Sequence, residues 1–296
     1  METRFFEMMD GCKIYAELYM NNHSKTALFL HGGPGAGCDY FRYHAQLLSD
    51  SMNVVIFDQR GVLRSDAIQD QEKFTYVTLI EDIENIRLLL EIDKLCLIGH
   101  SFGGLLALIY ALKYPQNVDR IVFAGATFDT GDSDESFHDT AIEKLFALND
   151  DKITAELTEL VNNRDKDEDF REKLGTLTPP HIVTEIFHPK PQDEEAVSKL
   201  FYAHTEQDKE KAKIHNKCLG NDGEIWRSYI DDLKDLKMPS LLIVGEYDTV
   251  CSKNQREAYK KYVSNGELKV IDGQGHTLHM EIPKIFVNIV SDFINK

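Results

Sequence analysis

Short apolar runs alternate with segments of amphipathic spacing between about residues 25 and 125. The apolar runs predict buried strands, and the amphipathic segments predict helices. The predicted strands cover residues 25–30, 54–57, 95–98 and 118–124, and the predicted helices cover residues 41–49, 77–91 and 105–113. Continuous apolar strands that alternate with helices are typical of a parallel sheet covered on both faces.

The residues before this region predict a β-hairpin. Residues 5–9 and 13–19 read as two strands, and Asp10-Gly11 stands between them. An Asp-Gly pair supplies the positive φ angles that a tight primed turn requires, so we expect that turn here.

The pattern changes between residues 127 and 237, where no convincing buried strand is found. Amphipathic spacing predicts helices over residues 137–148, 153–161, 194–203 and 209–219, joined by charged or proline-bearing segments. The alternation returns at Pro239, with strands predicted over 240–244 and 268–271 and helices over 256–263 and 283–293. We therefore expect one α/β core, formed by residues 1–126 and 238–296, with a helical insertion at 127–237.

The segment Gly99-His100-Ser101-Phe102-Gly103 lies between a predicted strand and a predicted helix. A G-x-S-x-G sequence in that context forms a sharp turn that exposes one serine hydroxyl at a helix N-terminus. The small residues permit the strained bend, and the helix N-terminus favours developing negative charge. Ser101 is therefore a candidate nucleophile, and the alternative is an ordinary glycine-rich turn with a solvated serine.

A serine hydroxyl needs a base to take its proton and an acid to orient that base. Asp248 and His276 each follow their own predicted strand, as Ser101 does. The carboxyl ends of parallel strands meet at one edge of the sheet, and the chain order Ser, Asp, His is typical of this kind of hydrolase. The alternatives are His279 as the base and Asp129 or Glu246 as the acid.

A tetrahedral intermediate also needs backbone donors for its oxyanion. One expected donor is the N–H of Phe102, directly after the nucleophile. The other is expected from Gly32 or Gly33 in His31-Gly32-Gly33-Pro34-Gly35, which follows the first core strand. The alternative for this loop is a plain tight turn.

Composition narrows the possible partners. The formal net charge of −17 argues against nucleic acid and anionic membranes as partners. No run approaches a membrane span, and the N-terminus lacks the apolar stretch of a signal peptide. Five scattered cysteines, Cys12, Cys38, Cys96, Cys218 and Cys251, predict reduced thiols and a cytoplasmic protein without a zinc site. No motif suggests a metal or another cofactor.

Together these motifs resemble those of the α/β-hydrolase superfamily over nearly the whole chain. The pair His31-Gly32-Gly33-Pro34-Gly35 and Asp58-Gln59-Arg60-Gly61 is similar, more narrowly, to the proline iminopeptidase (prolyl aminopeptidase) branch. Two further motifs follow in the family's order: the sharp turn around Ser101, called the elbow below, and then Gly245-Glu246-Tyr247-Asp248. The resemblance implies an eight-stranded core with a helical cap inserted after the sixth strand.

The resemblance also implies a serine aminopeptidase that releases N-terminal proline, or another small residue, from short peptides. The family anchors the substrate's α-amine with acidic residues, for which Asp222 and Glu224 are the cap candidates here. Some members carry a glutamate after the catalytic aspartate, where this chain has Thr249. This difference motivates one alternative, an esterase or lactonase acting on a small acyl compound. The other alternative is a non-catalytic protein that binds a small molecule on the same fold.

Overall fold

A single eight-stranded sheet organises the chain. The computed structural model describes residues 1–71, 73–164, 169–189 and 205–296. The strands are β1 Glu2–Glu7, β2 Lys13–Tyr19, β3 Thr26–Leu30, β4 Asn53–Phe57, β5 Leu95–His100, β6 Val118–Ala124, β7 Ser240–Gly245 and β8 Gly266–Ile271. Their order is β1-β2-β4-β3-β5-β6-β7-β8; β2 runs antiparallel to its neighbours β1 and β4, and the six strands β3 to β8 are parallel to one another. The predicted mostly parallel α/β sheet is confirmed.

Helices cover both faces of the sheet. The helices outside the β6–β7 connection are α1 Arg42–Leu48, α2 Tyr76–Leu89, α3 Phe102–Lys113, α9 Lys253–Tyr262, α10 Leu278–Glu281 and α11 Pro283–Ile294. Leu48 of α1 and Phe286 of α11 pack in the hydrophobic cluster on one face. Ile83 of α2, Leu105 of α3 and Tyr259 of α9 pack in the cluster on the other. Burial on both faces explains why β3, β4, β5 and β7 are buried along their whole length and mainly apolar rather than alternating.

The N-terminal hairpin forms as predicted, but its turn differs. The N–H of Gly11 donates to the Met8 carbonyl at 2.8 Å, and Gly11 has a φ of +82° whereas Asp10 does not enter the positive region. The connection is therefore a longer turn that closes on one left-handed glycine, not a two-residue primed turn. Asp10 accepts the N–H of Cys12 and pairs with Arg60, which explains its presence without a positive φ.

The described residues between β6 and β7 form five α-helices: α4 Thr130–Ala147, α5 Asp151–Asn162, α6 Phe170–Leu177, α7 Pro180–Phe187 and α8 Glu206–Asp222. Helix α4 begins earlier than predicted because the Asp129 side chain caps it, accepting the N–H of Asp132 at 3.0 Å. Helices α6 and α7 were not predicted from the sequence, and Pro180 occupies the first turn of α7. The helix predicted over 194–203 lies outside the described residues. Across the described ranges, no helix has the length and apolar character needed to span a bilayer.

Candidate active site

Ser101 occupies a strained turn between β5 and α3. Its φ of 55° and ψ of −124° lie in a region that costs energy for a residue with a side chain. A Cβ at Gly99 would lie 2.5 Å from the Gly103 carbonyl oxygen, and one at Gly103 would lie 2.0 Å from the Leu30 carbonyl oxygen. Only glycine fits at these positions, so the sequence pattern has a steric cause.

Asp248 and His276 meet beside this turn. His276 Nδ1 lies 3.1 Å from Asp248 Oδ1, and both side chains are almost fully buried. The same oxygen accepts the N–H groups of Val250 at 2.8 Å and Cys251 at 3.1 Å. An ionised carboxylate only accepts hydrogen bonds, so His276 Nδ1 carries the proton and Nε2 presents a lone pair.

The rivals of these two residues occupy other environments. His279 is buried beneath the site, with its ring centroid 4.4 Å from that of His100, and burial holds its pKa well below the ordinary value. Asp129 caps α4, and Glu246 accepts the N–H of Gly273 at 2.8 Å. Within the described chain, the carboxylate that contacts the His276 ring is therefore that of Asp248.

The two glycines of the predicted oxyanion loop are not equivalent. The N–H of Gly32 donates to Tyr40 Oη at 2.8 Å, so it is already occupied. The Gly32 carbonyl, which belongs to the same peptide group as the Gly33 N–H, lies 3.0 Å from His31 Nδ1. The backbone N–H of Gln59 donates to His31 Nε2 at 3.0 Å and that of Gly37 donates to His31 Nδ1 at 3.3 Å, so backbone donors hold both nitrogens of the ring. The N–H of Ala36 donates to the Gly32 carbonyl at 3.3 Å, and this bond fixes the direction of the Gly33 N–H in the same peptide group.

Ser101 and His276 open into one cavity of about 550 Å³. The lining is mainly apolar and aromatic: Pro34, Ala36, Tyr40, Phe102, Phe137, Phe187, Ile225, Trp226, Val250 and Met280. Several hydroxyl groups also line it, but they are bonded internally, such as Thr130 to the Ile225 carbonyl and Ser133 to the Val250 carbonyl. Asp134 of α4 is the one carboxylate among the described lining residues.

Asp222 and Glu224, the acids predicted to bind substrate, each accept a hydrogen bond from another part of the protein. Asp222 Oδ2 accepts the N–H of Tyr76 at 3.2 Å, at the start of α2. Glu224 Oε2 accepts the hydroxyl of Tyr229 at 3.1 Å. Neither residue lines the cavity that contains Ser101 and His276. Both carboxylates are held by protein donors elsewhere, and the sequence shows only that they are acidic.

The helical segment between β6 and β7 also touches the His276 loop. The N–H of His276 donates to the Phe187 carbonyl at 3.1 Å, and His188 bonds to Thr277. A Cβ at Gly275 would lie 2.4 Å from Pro189 Cδ, so glycine allows this close approach. Phe137 of α4 and Phe187 of α7 also line the cavity, and the Phe187 ring lies beside that of His276.

Three residues of the candidate active site were not predicted from the sequence: Tyr40, Asp134 and Gly125. Gly125 follows β6 with a φ of +51°, and a Cβ there would lie 2.7 Å from Asp248 Oδ2. Its position directly after a core strand was an available signal. Tyr40 and Asp134 gave none, because an isolated tyrosine in a loop and an isolated acid on a helix are common surface features.

This arrangement of fold and site defines the class of protein. A family model described as alpha/beta hydrolase fold matches residues 26–283. The chain therefore belongs to the α/β-hydrolase-fold family and is an enzyme, a hydrolase.

The comparisons also confirm the similarity to one branch of that family. A proline iminopeptidase of Saccharolobus solfataricus is 26% identical over 297 residues, covering 98% of this chain and 92% of the relative. Two solved structures, at 21% and 22% identity, share the fold. They are a proline iminopeptidase of Mycobacterium smegmatis, with a TM-score of 0.75, and an esterase of Exiguobacterium antarcticum, with a TM-score of 0.70. The first covers 99% of this chain and 98% of its own, and the second covers 99% of both.

Proposed function

We propose that this hydrolase uses Ser101, His276 and Asp248 as a catalytic triad. The observation that supports this proposal most directly is the buried hydrogen bond between His276 Nδ1 and Asp248 Oδ1. His276 and Ser101 line the same cavity. The strained turn presents the Ser101 side chain to the cavity, and the carboxylate fixes the imidazole tautomer that accepts a proton at Nε2.

The geometry supports an acyl-transfer mechanism. Ser101 Oγ attacks the substrate carbonyl carbon while His276 Nε2 takes the hydroxyl proton. The N–H of Phe102, in the first turn of α3, and the N–H of Gly33 stabilise the oxyanion. His276 then protonates the leaving group, and water attacks the acyl-enzyme in the second half-reaction.

We propose that the enzyme is an aminopeptidase and that its substrates are short peptides with a small N-terminal residue such as proline. The similarity to proline iminopeptidases supports this specificity. We propose further that residues 127–237 form a cap, because side chains from α4 and α7 line the cavity. A cap over the serine would exclude large folded proteins.

The test of this function compares substrates that differ at the amine. We expect cleavage of prolyl-4-nitroanilide and alanyl-4-nitroanilide, and loss of cleavage when the prolyl amine is blocked. Release of 4-nitroaniline is followed by absorbance, with short-chain 4-nitrophenyl esters assayed in parallel. Ester cleavage alone would retain the triad and reject the aminopeptidase.

Asp134 is our candidate for the amine anchor in place of Asp222 and Glu224. Its Oδ2 accepts from Arg171 at 3.1 Å, but both side chains are exposed, and such a pair is worth about 0–1 kcal/mol. A substrate ammonium group could therefore replace Arg171 at little cost. The acidic side chain would then form a charge-assisted hydrogen bond with the free amine.

We therefore predict that Asp134→Asn raises the KM for prolyl-4-nitroanilide by about 10- to 100-fold, which corresponds to the loss of one charged hydrogen bond. The KM for a 4-nitrophenyl ester without an amine should stay within about twofold, since that substrate has no cation to anchor. Glu224→Gln is the matched control and should change neither value. The opposite ranking of the two variants would place the amine beside Glu224.

An esterase or lactonase is the second candidate. The apolar lining favours it, since most hydroxyl groups in the wall are already bonded to the protein. In that case Asp134→Asn would leave all substrates unaffected, and kcat/KM would rise with the length of an apolar acyl chain.

A further inference from the structure

The Tyr40 hydroxyl connects two parts of the candidate active site. Tyr40 lies in a short 3-10 helix, Asp39–Phe41, in the connection after β3, and it is 5% exposed. Its Oη accepts the N–H of Gly32 at 2.8 Å and lies 3.0 Å from His100 Nδ1. Gly32 precedes the proposed oxyanion donor Gly33, and His100 precedes the nucleophile Ser101. One buried hydroxyl thus joins the oxyanion loop to the nucleophile turn.

The direction of both hydrogen bonds follows from counting protons. The Gly32 N–H is only a donor, so it occupies a lone pair on Tyr40 Oη. The phenolic proton then has His100 Nδ1 as its acceptor. His100 Nδ1 therefore carries no proton, and the neutral ring carries its proton on Nε2. This is the opposite tautomer to that of His276, whose proton is on Nδ1 because it faces Asp248.

The surroundings of His100 keep the ring neutral. Burial is the main cause that holds the pKa of His100 well below its ordinary value, and the neighbouring His276 imidazole acts in the same direction. The ring centroid of His100 lies 4.9 Å from that of His276 and 4.4 Å from that of His279. A movement of the His100 ring would therefore be transmitted to the base as well as to the nucleophile.

We propose that Tyr40 is a positioning residue, whose hydroxyl holds the oxyanion loop against the nucleophile turn and fixes His100 as the Nε2–H tautomer. The proposal rests on the proposed triad and oxyanion hole. Tyr40 acts on the reaction through Gly32 and His100, so it affects the alignment of the oxyanion donor rather than the binding of substrate. Small misplacements of such groups reduce turnover strongly.

The direct test is Tyr40→Phe, which retains the ring and removes only the hydroxyl. The variant leaves the Gly32 N–H and His100 Nδ1 without their shared partner in a buried place. We expect kcat to fall by about 10- to 100-fold, with KM within about twofold of wild type. The rate of Ser101 labelling by a fluorophosphonate should fall by a similar factor, which gives a readout independent of the natural substrate.

Tyr259→Phe is the matched control. Tyr259 is also buried, and its hydroxyl is bonded to Ser240 Oγ at 2.7 Å in the core between α9 and β7. Removing this hydroxyl affects packing and stability but contacts neither the oxyanion loop nor the elbow. We expect kcat and the labelling rate of this variant to stay within about twofold of wild type.

Nitrogen-15 NMR of the histidine side chains tests the tautomer itself. In wild type, the His100 signal, assigned by its loss in His100→Gln, should show a protonated Nε2 and an unprotonated Nδ1. In Tyr40→Phe, the Nδ1 resonance should shift as its donor is lost. This measurement requires no turnover, so it separates failure of the proposal from failure of the proposed hydrolase chemistry.

Three results would overturn the inference. A proton on Nδ1 of His100 in wild type would contradict the hydrogen-bond assignment, whether or not Tyr40→Phe folds. An unchanged kcat and labelling rate in folded Tyr40→Phe would show that the alignment does not depend on the hydroxyl. A rise in KM at constant kcat would show that Tyr40 contacts substrate instead of positioning the oxyanion loop.

Discussion

Replacing Ser101 with alanine is expected to lower kcat by 10³-fold or more while the protein still folds. In the proposed mechanism, the Ser101 side chain supplies the atom that forms the acyl-enzyme, and alanine has no group that can take this role. Alanine also preserves the Cβ, so it meets the same backbone strain at a φ of 55° as serine does. The measurement is kcat for the best ester or amide substrate, with far-UV circular dichroism to verify folding.

Ser264→Ala is a suitable control for this experiment because Ser264 is exposed in the turn before β8. Fluorophosphonate labelling should occur in this control and disappear in Ser101→Ala. If Ser101→Ala retained most of its activity and labelling, a different nucleophile would be required, and the assignment of the whole triad would fail with it.

The core strands and the elbow were predictable because their signals are local. A buried parallel strand is apolar on both faces. At Gly99 and Gly103, a Cβ atom would lie 2.0–2.5 Å from a backbone carbonyl oxygen, so no residue other than glycine fits. These constraints act over a few residues and are visible in one segment. The order of Ser101, Asp248 and His276 adds a constraint, since each follows its own strand of one parallel sheet.

The two acids predicted to bind the amine do not line the cavity with Ser101 and His276, and no local pattern in the sequence shows this packing. Asp222 and Glu224 are acidic and lie in the helical segment, but their carboxylates face Tyr76 and Tyr229. Asp134 faces the cavity because α4 begins at Thr130, seven residues before the predicted start at 137. The Asp129 cap was not predicted, so the predicted helix lacked the first two turns of α4.

The hydrogen-bond partners of several histidines were also outside the reach of the sequence. His31, His100, His276 and His279 all lie close to glycine turns or to one another along the chain. Their hydrogen bonds differ: His31 is held by Gln59 and Gly32, His100 by Tyr40, and His276 by Asp248. Apart from Gly32, these partners lie 28 to 60 residues away along the chain, so the hydrogen bonds of each ring follow only from the three-dimensional arrangement.

Replacing His276 with alanine is expected to reduce kcat about as severely as Ser101→Ala, by 10³-fold or more, since members of a triad act as a unit. Without Nε2, no group is placed to take the Ser101 proton or to return it to the leaving group. The change also leaves Asp248 Oδ1 with only its two backbone donors, from Val250 and Cys251. The measurement is kcat for a 4-nitrophenyl ester and for prolyl-4-nitroanilide over a range of pH.

His279→Ala provides the decisive comparison because His279 was the rival base. Its side chain is 1% exposed and packs against the rings of His100 and Phe286, so its removal should create a cavity and lower the melting temperature. The fall in kcat should remain within about tenfold, because the bond between His276 and Asp248 does not involve His279. If His279→Ala abolished turnover and His276→Ala did not, His279 would be the base, and Asp248 could no longer be its orienting acid.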